Sequence, residues 1–538
     1  MKGKIHNIQV LSNDQNSVSL FKTFPMRLIL RYVLLPAIFL LFISGCSQKD
    51  GFPSLKGPYL GQEPPGDEPE LFMFGVVTTL DVEYCISFLD QGRVCVFGRD
   101  DIGINYTYLK NGVWTEPQQM PLDSKNLEWK HNAGPDDKTL YFMSPRPVNT
   151  NDTTGDLNIY KMKWMGSGWS GKEMLPFPPN SEMYHEIYPS VTNNGTIYFH
   201  GGQFRNQPDM NDDIYRSRFV NDSYMAEERL NEPISTEYGE YDSFIAPDES
   251  YLMFGSNRPG GFGRYDSYIC FQKEDGTWTN PANMCQPLNS LSWENRVMVT
   301  NDGLYLFFVS GRNHELLNEE MADGKWTSTT GFYWVRTGII ENLKEEMLNS
   351  VSAADVISSA YQEKGIDAAV KRLSGLKNDP GKSYYYSPFE LLMLCRGMIE
   401  NGKADDSDIF YQALLDNLEN DYRIRRGYGM ICVMHGFPEK GLDLLEHALS
   451  DHPVELMVTA FELGSDLINK TKIEDAYKVM YYNVGKFAEH YITNYGMARA
   501  CKEMDNTEEA LMYCKKSLEI NPDYNAAENL MNELKSKL

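Results

Sequence analysis

The sequence predicts two repeat domains in series: an all-β propeller of five blades, then an all-α helical array. Three observations carry this. A unit anchored on a glutamate recurs at Glu83, Glu128, Glu186, Glu240 and Glu294, with spacings of 45, 58, 54 and 54 residues. Farther on, the small residues Cys395, Gly429, Gly464 and Ala498 stand 34, 35 and 34 residues apart. Between the two series, near Ile339, glycine-rich turn sequence gives way to Glu, Lys, Leu and Ala at helical spacing.

The first repeat is clearest from Glu240 to Asn289. An extended stretch from Glu240 meets the turn Pro247-Asp-Glu-Ser, and Tyr251 to Ser256 is apolar. A glycine-rich loop, Asn257-Arg-Pro-Gly-Gly-Phe-Gly-Arg264, leads to Asp266-Ser-Tyr-Ile-Cys-Phe and a hairpin into Trp278. Short apolar runs bounded by Gly, Pro and Asp are the mark of strands and hairpins. Four such strands per unit, repeated at this period, make a propeller. In every copy a turn lies eight residues after the glutamate, and an apolar strand follows: Val94-Cys-Val-Phe, Leu140-Tyr-Phe, Ile197-Tyr-Phe, Leu252-Met-Phe and Leu304-Tyr-Leu-Phe. Four copies then carry an arginine: Arg99, Arg146, Arg258 and Arg312.

The chain enters this region with a strand that has no blade of its own, around Leu71 to Thr78, and leaves it on a third strand ending near Arg336. Pairing of the two closes a ring of five blades and leaves no free outer strand. Six blades are the alternative. The marks Pro135-Asp136, Ser144-Pro-Arg146, Asp213-Ile-Tyr215 and the run from Pro247 to Tyr268 resemble the WD-like propeller repeat of the TolB type, over about residues 58 to 343. The first and fifth copies depart from it, with Asn105-Tyr-Thr-Tyr and Gly331-Phe-Tyr in place of Asp-Ile-Tyr. The repeated Glu83, Glu128, Glu186, Glu240, Glu294, Arg146, Arg258, Arg312, Asp213 and Asp266 are expected to serve packing between and within blades. A ring of five glutamates holding a cation in the channel is the sharper alternative.

In the C-terminal third, a second series of small residues, Ser407, Gly441, Ala476 and Ala510, follows the first by twelve residues, and Pro453 and Pro522 end their units. A helix–turn–helix of 34 residues with small residues at helix crossings is the tetratricopeptide pattern, and Ala510 to Pro522 resembles a terminal unit of that family. Cys395, Cys432, Cys501 and Cys514 fall on inward positions of this frame. The expected domains are a propeller over 70–338, a linker helix with a degenerate helical repeat over 339–386, and tetratricopeptide-like repeats over 387–538.

The N-terminus reads as a targeting segment. A basic stretch from Met26 precedes an apolar run, Val33 to Ile43, too short to span a bilayer comfortably and suited to a signal sequence. It ends Phe-Ile-Ser-Gly-Cys46, which resembles a bacterial lipoprotein signal; the resemblance implies that Cys46 is lipidated and becomes the mature N-terminus. Met26 is the natural start within residues 1–46, and 47–69 reads as a Gly/Pro-rich tether. Loss of residues 1–45 leaves 45 Lys/Arg against 74 Asp/Glu, a net charge near −29. An acidic surface without a basic stripe excludes nucleic acid as a partner.

No catalytic constellation is visible. The sequence has no Gly-x-Ser-x-Gly elbow, no HExxH, no phosphate loop and no dinucleotide fingerprint. No metal or other cofactor is expected, although Asp209, Asn211 and Asp213 offer oxygen ligands of the kind Ca²⁺ takes. Cys85 with Cys95, or Cys270 with Cys285, are close enough in sequence to pair in an oxidising compartment. The expected function is a non-catalytic outer-membrane lipoprotein, inserted through its lipid only, that binds protein partners in the envelope through the propeller face and the helical groove. Glycan or cell-wall fragment binding at the propeller mouth is one alternative, and a hydrolase using channel carboxylates is another. Any ligand site is expected where the copies diverge: 145–156, 201–212 and 313–331.

Overall fold

The computed structural model describes residues 52–79, 82–99, 103–122, 128, 130–145, 157–181, 184–203, 212–312, 330–379 and 382–536. Cys46, Arg146, Asp209, Asn211 and nearly all of the three divergent loops lie outside them.

Five antiparallel blades form the first domain. Blade one is built on Glu83–Leu89, Val94–Arg99 and Gly103–Lys110, with Gln118–Gln119 at its edge. Blade two uses His131–Ala133, Thr139–Ser144, Asn158–Lys163 and Glu173–Met174. Blade three uses Tyr184–Val191, Ile197–Gln203, Asp213–Ser217 and Glu228–Arg229. Blade four uses Glu240–Ile245, Tyr251–Ser256, Asp266–Phe271 and Ala282–Asn283. Blade five uses Glu294–Val299, Tyr305–Ser310 and Gly331–Arg336, and takes its fourth strand, Glu70–Leu71, from the start of the domain.

That borrowed strand closes the ring. Glu70 pairs with Trp334 and Leu71 with Tyr333, and the Phe72 amide donates to the Phe332 carbonyl at 2.8 Å. The ladder is shorter than the sequence implied, and aromatic packing completes the seam. Phe72 lies 5.7 Å from Phe88 of blade one and 5.1 Å from both Phe307 and Trp334 of blade five, centre to centre. The stretch read as a tether is also part of the seam. Tyr59 and Leu60 are buried, Tyr59 donates to Asp302 at 2.6 Å, and Trp114 donates to the Gly57 carbonyl at 2.6 Å. An apolar aromatic next to Leu60 outweighs the glycine and proline content that read as linker.

The second domain comprises twelve helices among the described residues: α1 Gly338–Asn349, α2 Ala353–Lys364, α3 Ile366–Leu376, α4 Pro388–Glu400, α5 Ala404–Asn417, α6 Tyr422–Met434, α7 Pro438–Ala448, α8 Pro453–Asn469, α9 Ile473–Lys486, α10 Tyr491–Glu503, α11 Thr507–Ile520 and α12 Asn525–Ser536. From α4 onward they pack as antiparallel pairs at the predicted period. The small residues sit at the crossings: Ser407 donates to the Cys395 carbonyl at 2.9 Å, and a Cβ on Gly429 would lie 2.9 Å from the Gly441 carbonyl oxygen. Cys395, Cys432, Cys501 and Cys514 are buried between helices. Cys85, Cys95, Cys270 and Cys285 are free thiols in the blades.

Candidate functional site

The repeated residues build the same motif in blades four and five. Glu240 accepts from the Thr236 amide and hydroxyl, each at 2.8 Å, from Ser256 at 3.2 Å and from Arg258 at 3.0 Å. Glu294 accepts from the Ser290 amide at 2.7 Å, the Ser290 hydroxyl at 2.5 Å and Ser310 at 2.6 Å, with Arg312 at 3.5 Å. Glu83 accepts from the Thr79 amide at 2.6 Å and from Thr330 at 3.3 Å, and Glu128 accepts from Ser144 at 3.1 Å. Glu186 is likewise buried. In blades four and five the glutamate therefore ties the loop before its strand to the end of the next strand. Burial raises the carboxyls of Glu240 and Glu294 against the pull of their arginines, and pushes Glu83 up to about 8. Glu240 and Glu294 spend their oxygens on hydrogen bonds within their own blades, and Glu83 on Thr79 and on Thr330 beside blade five, so these three do not stand open as cation ligands. Asp266 accepts from the Phe262 and Gly263 amides at 2.6 and 2.8 Å and fixes the glycine loop. Asp213 holds Arg229 in a two-point ion pair at 2.6 and 2.8 Å.

The channel is filled by other residues, which the repeat pattern concealed. Two positions after each glutamate stand Cys85, Lys130, Tyr188, Asp242 and Arg296, one from each blade. Register shifts follow the glutamate in blades one, three, four and five. Bulges of this kind re-aim a side chain. Tyr188, Asp242 and Arg296 have φ of 54°, 51° and 56°. Lys130 meets Asp242 at 2.5 Å, Arg296 meets the other Asp242 oxygen at 3.3 Å, and Tyr188 donates to the Arg296 carbonyl at 3.2 Å. The Asp242 amide donates to His200 Nδ1 at 2.9 Å, and Ser87 lies 3.0 Å from His131 Nδ1. Burial lowers both histidines to about 3, so both are neutral at physiological pH. Against burial, Lys130 and its neighbours hold Asp242 at about 2. The signal in the sequence was a position that varies between opposite charges while its neighbours repeat.

Blade four differs from the others in what covers it. Arg258 has a fully buried side chain, stacked on Phe254 at 5.2 Å, Tyr268 at 5.0 Å and Phe389 of α4 at 4.8 Å. Its counterpart in blade five, Arg312, stacks on Phe308 and Tyr333 and keeps a 19 % exposed side chain. The loop after Arg258 runs on across the array. Gly260, at φ 90°, lies so close that a Cβ would be 2.8 Å from the Phe389 amide nitrogen. Phe262 lies under the Arg423 guanidinium at 4.3 Å, and Tyr422 donates to its carbonyl at 3.0 Å. Arg264 reaches Glu455 at 3.4 Å and Glu462 at 3.6 Å on α8. Burial raises Glu455, Glu462 and Asp466, with Arg264 drawing the first two back. Beside this contact a cleft of about 340 Å³ is lined by Pro233, Glu237 and Tyr238 from the propeller and Phe389, Met393 and Arg396 from α4. Arg396 pairs there with Glu237 and, at 2.8 Å, with Glu400. Among the described residues no three His, Cys, Asp or Glu side chains are grouped to hold a metal ion, and no helix is long and apolar enough to cross a membrane.

These features define a five-bladed propeller followed by a tetratricopeptide-like helical array. No protein family and no curated protein sequence matches the chain. Among solved structures it is similar to MamA MSR-1, with 15 % identity and a TM-score of 0.18 over 28 % of this chain and 86 % of that one. It is also similar to TTC0263, a thermophilic TPR protein of Thermus thermophilus, with 15 % identity and a TM-score of 0.18 over 34 % and 97 %. A third similarity is to the APC/C hetero-tetramer Cut9-Hcn1, with 13 % identity and a TM-score of 0.18 over 33 % and 34 %.

Proposed function

We propose that this chain is a non-catalytic protein-binding scaffold of the bacterial envelope, held at the outer membrane by a lipid on Cys46. The observation that carries the reading is the contact between blade four and α4, α6 and α8, which joins two repeat surfaces into one body. Stacked helix pairs offer extended surfaces suited to proteins. The propeller gives them a fixed base, since the ring is closed and its channel is plugged by the Lys130–Asp242–Arg296 cluster. Glu83, Glu240 and Glu294, carboxylates on which the hydrolase alternative would draw, are buried and hydrogen-bonded, which favours binding over hydrolysis. Partner contact is expected on the exposed parts of the array, where Tyr481 is 60 % exposed and stacks on Tyr477.

A photocrosslinking residue at Tyr481 in the membrane-anchored protein tests this in cells. One discrete protein adduct, absent when the residue is placed at Asn111 on blade one, is the expected result. Retention on a peptidoglycan column with no protein adduct would replace this reading with the glycan alternative. Cys46→Ala is expected to move the protein out of the membrane fraction; if it stays, the anchor is not the lipid.

A further inference from the structure

We infer that the glycine-rich loop of blade four, residues 257–265, is a built-in ligand of the helical array that closes one face of α4, α6 and α8 to partners. The three helices are the first members of successive pairs, so together they make one continuous face of the array. The loop lies along that face in order. Arg258 stacks on Phe389 of α4. Gly260 approaches α4 and α6 together: a Cβ on Gly427 of α6 would lie 2.9 Å from the Gly260 nitrogen. Phe262 meets Tyr422 and Arg423 of α6, and Arg264 meets Glu455 and Glu462 of α8.

Each contact has the chemistry of recognition between separate chains: an aromatic ring under a guanidinium, and an arginine between carboxylates. Close backbone approach is possible only because both Gly260 and Gly427 lack a Cβ. The face is thus occupied within the chain. A partner that takes it has to replace the loop, and so presents a glycine-flanked aromatic residue followed by an arginine. This rests on the scaffold reading for the existence of a partner; the occupied face itself does not.

The test uses the full chain with Gly260→Val and Arg264→Glu combined. The valine collides with the α4 backbone, and the glutamate sets a like charge against Glu455 and Glu462. Hydroxyl-radical footprinting reads the exposure of Phe389 and Tyr422, and a fluorescent peptide of the sequence Asn257 to Asp266 reads the freed face. At least a threefold rise in labelling and at least tenfold tighter peptide binding than to the unmodified chain are expected. Unchanged labelling overturns the inference, as does equal peptide binding by both proteins. If circular dichroism shows that the double variant does not fold, Arg264→Glu alone carries the same two readouts. Loss of the envelope crosslink at Tyr481 with both readouts intact would count against the scaffold reading and leave this one standing.

Discussion

The guanidinium of Arg258 lies 4.8 Å from the ring centre of Phe389, so a repeat residue of blade four is sealed by a side chain of the helical array. Phe389→Ala removes the third ring and opens Arg258 to water. A loss of about 1–3 kcal/mol is expected in denaturant unfolding. Tyr481→Ala, at an exposed position, is expected to change stability by less than about 0.5 kcal/mol. Equal effects of the two would show that Phe389 is not a seal.

Asp242 is the common counterion of Lys130 and Arg296 at the centre of the ring. Asp242→Asn leaves two cations facing each other in a buried site, at a cost of about 3–5 kcal/mol. Adding Lys130→Met to Asp242→Asn is expected to restore part of that loss, since one unpaired charge is then removed. Thermal unfolding of the single and double variants measures it. If the double variant is less stable than Asp242→Asn, Lys130 is not the group that Asp242 neutralises.

Glu83 sets a pH dependence with a definite sign. Its carboxyl stands near 8 in the fold, raised by burial against the opposing effects of Thr79, Thr330 and Arg99, and near 4.5 when unperturbed. A carboxyl raised on folding contributes stability that is complete below its unfolded value and is lost as pH rises through the folded one. Glu83→Gln is therefore expected to flatten the decline in stability between pH 5 and 8.5. An unchanged slope in urea midpoints across that range would show that Glu83 is ionised in the fold.

The buried histidines act at the other end. His131 and His200 stand near 3 against an ordinary value of 6.5, so their contribution is present above 6.5 and is lost as pH falls toward 3. His131→Asn, which keeps a polar partner for Ser87, is expected to shift the acid unfolding midpoint downward. No shift would place the acid sensitivity elsewhere.

The ring closure gives the simplest packing test. Phe72 is fully buried among Phe88, Phe307 and Trp334, and Phe72→Ala is expected to cost about 3–5 kcal/mol, as a large-to-small change in a packed core does. A cost below about 1 kcal/mol would mean that the closing strand contributes little to the ring.

Much of the fold was legible because repetition multiplies a weak signal. One Pro-Asp turn means little, whereas five turns eight residues after five glutamates set the strand order, favour five blades over six, and point to closure by pairing of the entering strand with the third strand of the last blade. The helix pairs were legible for the same reason, since a helix crossing as close as that at Gly429 and Gly441 needs small residues at a fixed period. The channel cluster was not, because Cys85, Lys130, Tyr188, Asp242 and Arg296 do not repeat; their partners are brought together by ring closure and by bulges. Tyr59 was hidden in a stretch whose glycine and proline content reads as linker. The contact of blade four with the array was hidden in its own regularity. Its glycine loop looks like repeat sequence, and only the fold shows that Phe389, Tyr422 and Glu455 meet it.

The central claim is that the propeller and the helical array form one body joined at blade four. Pulsed electron spin resonance between labels at Asn111 on blade one and Met512 on α11, both introduced as spin-labelled unnatural residues, measures it directly. A single narrow distance distribution in the unmodified chain, broadened by Gly260→Val with Arg264→Glu, is the predicted result. A broad distribution in the unmodified chain, the same as in the variant, would contradict it.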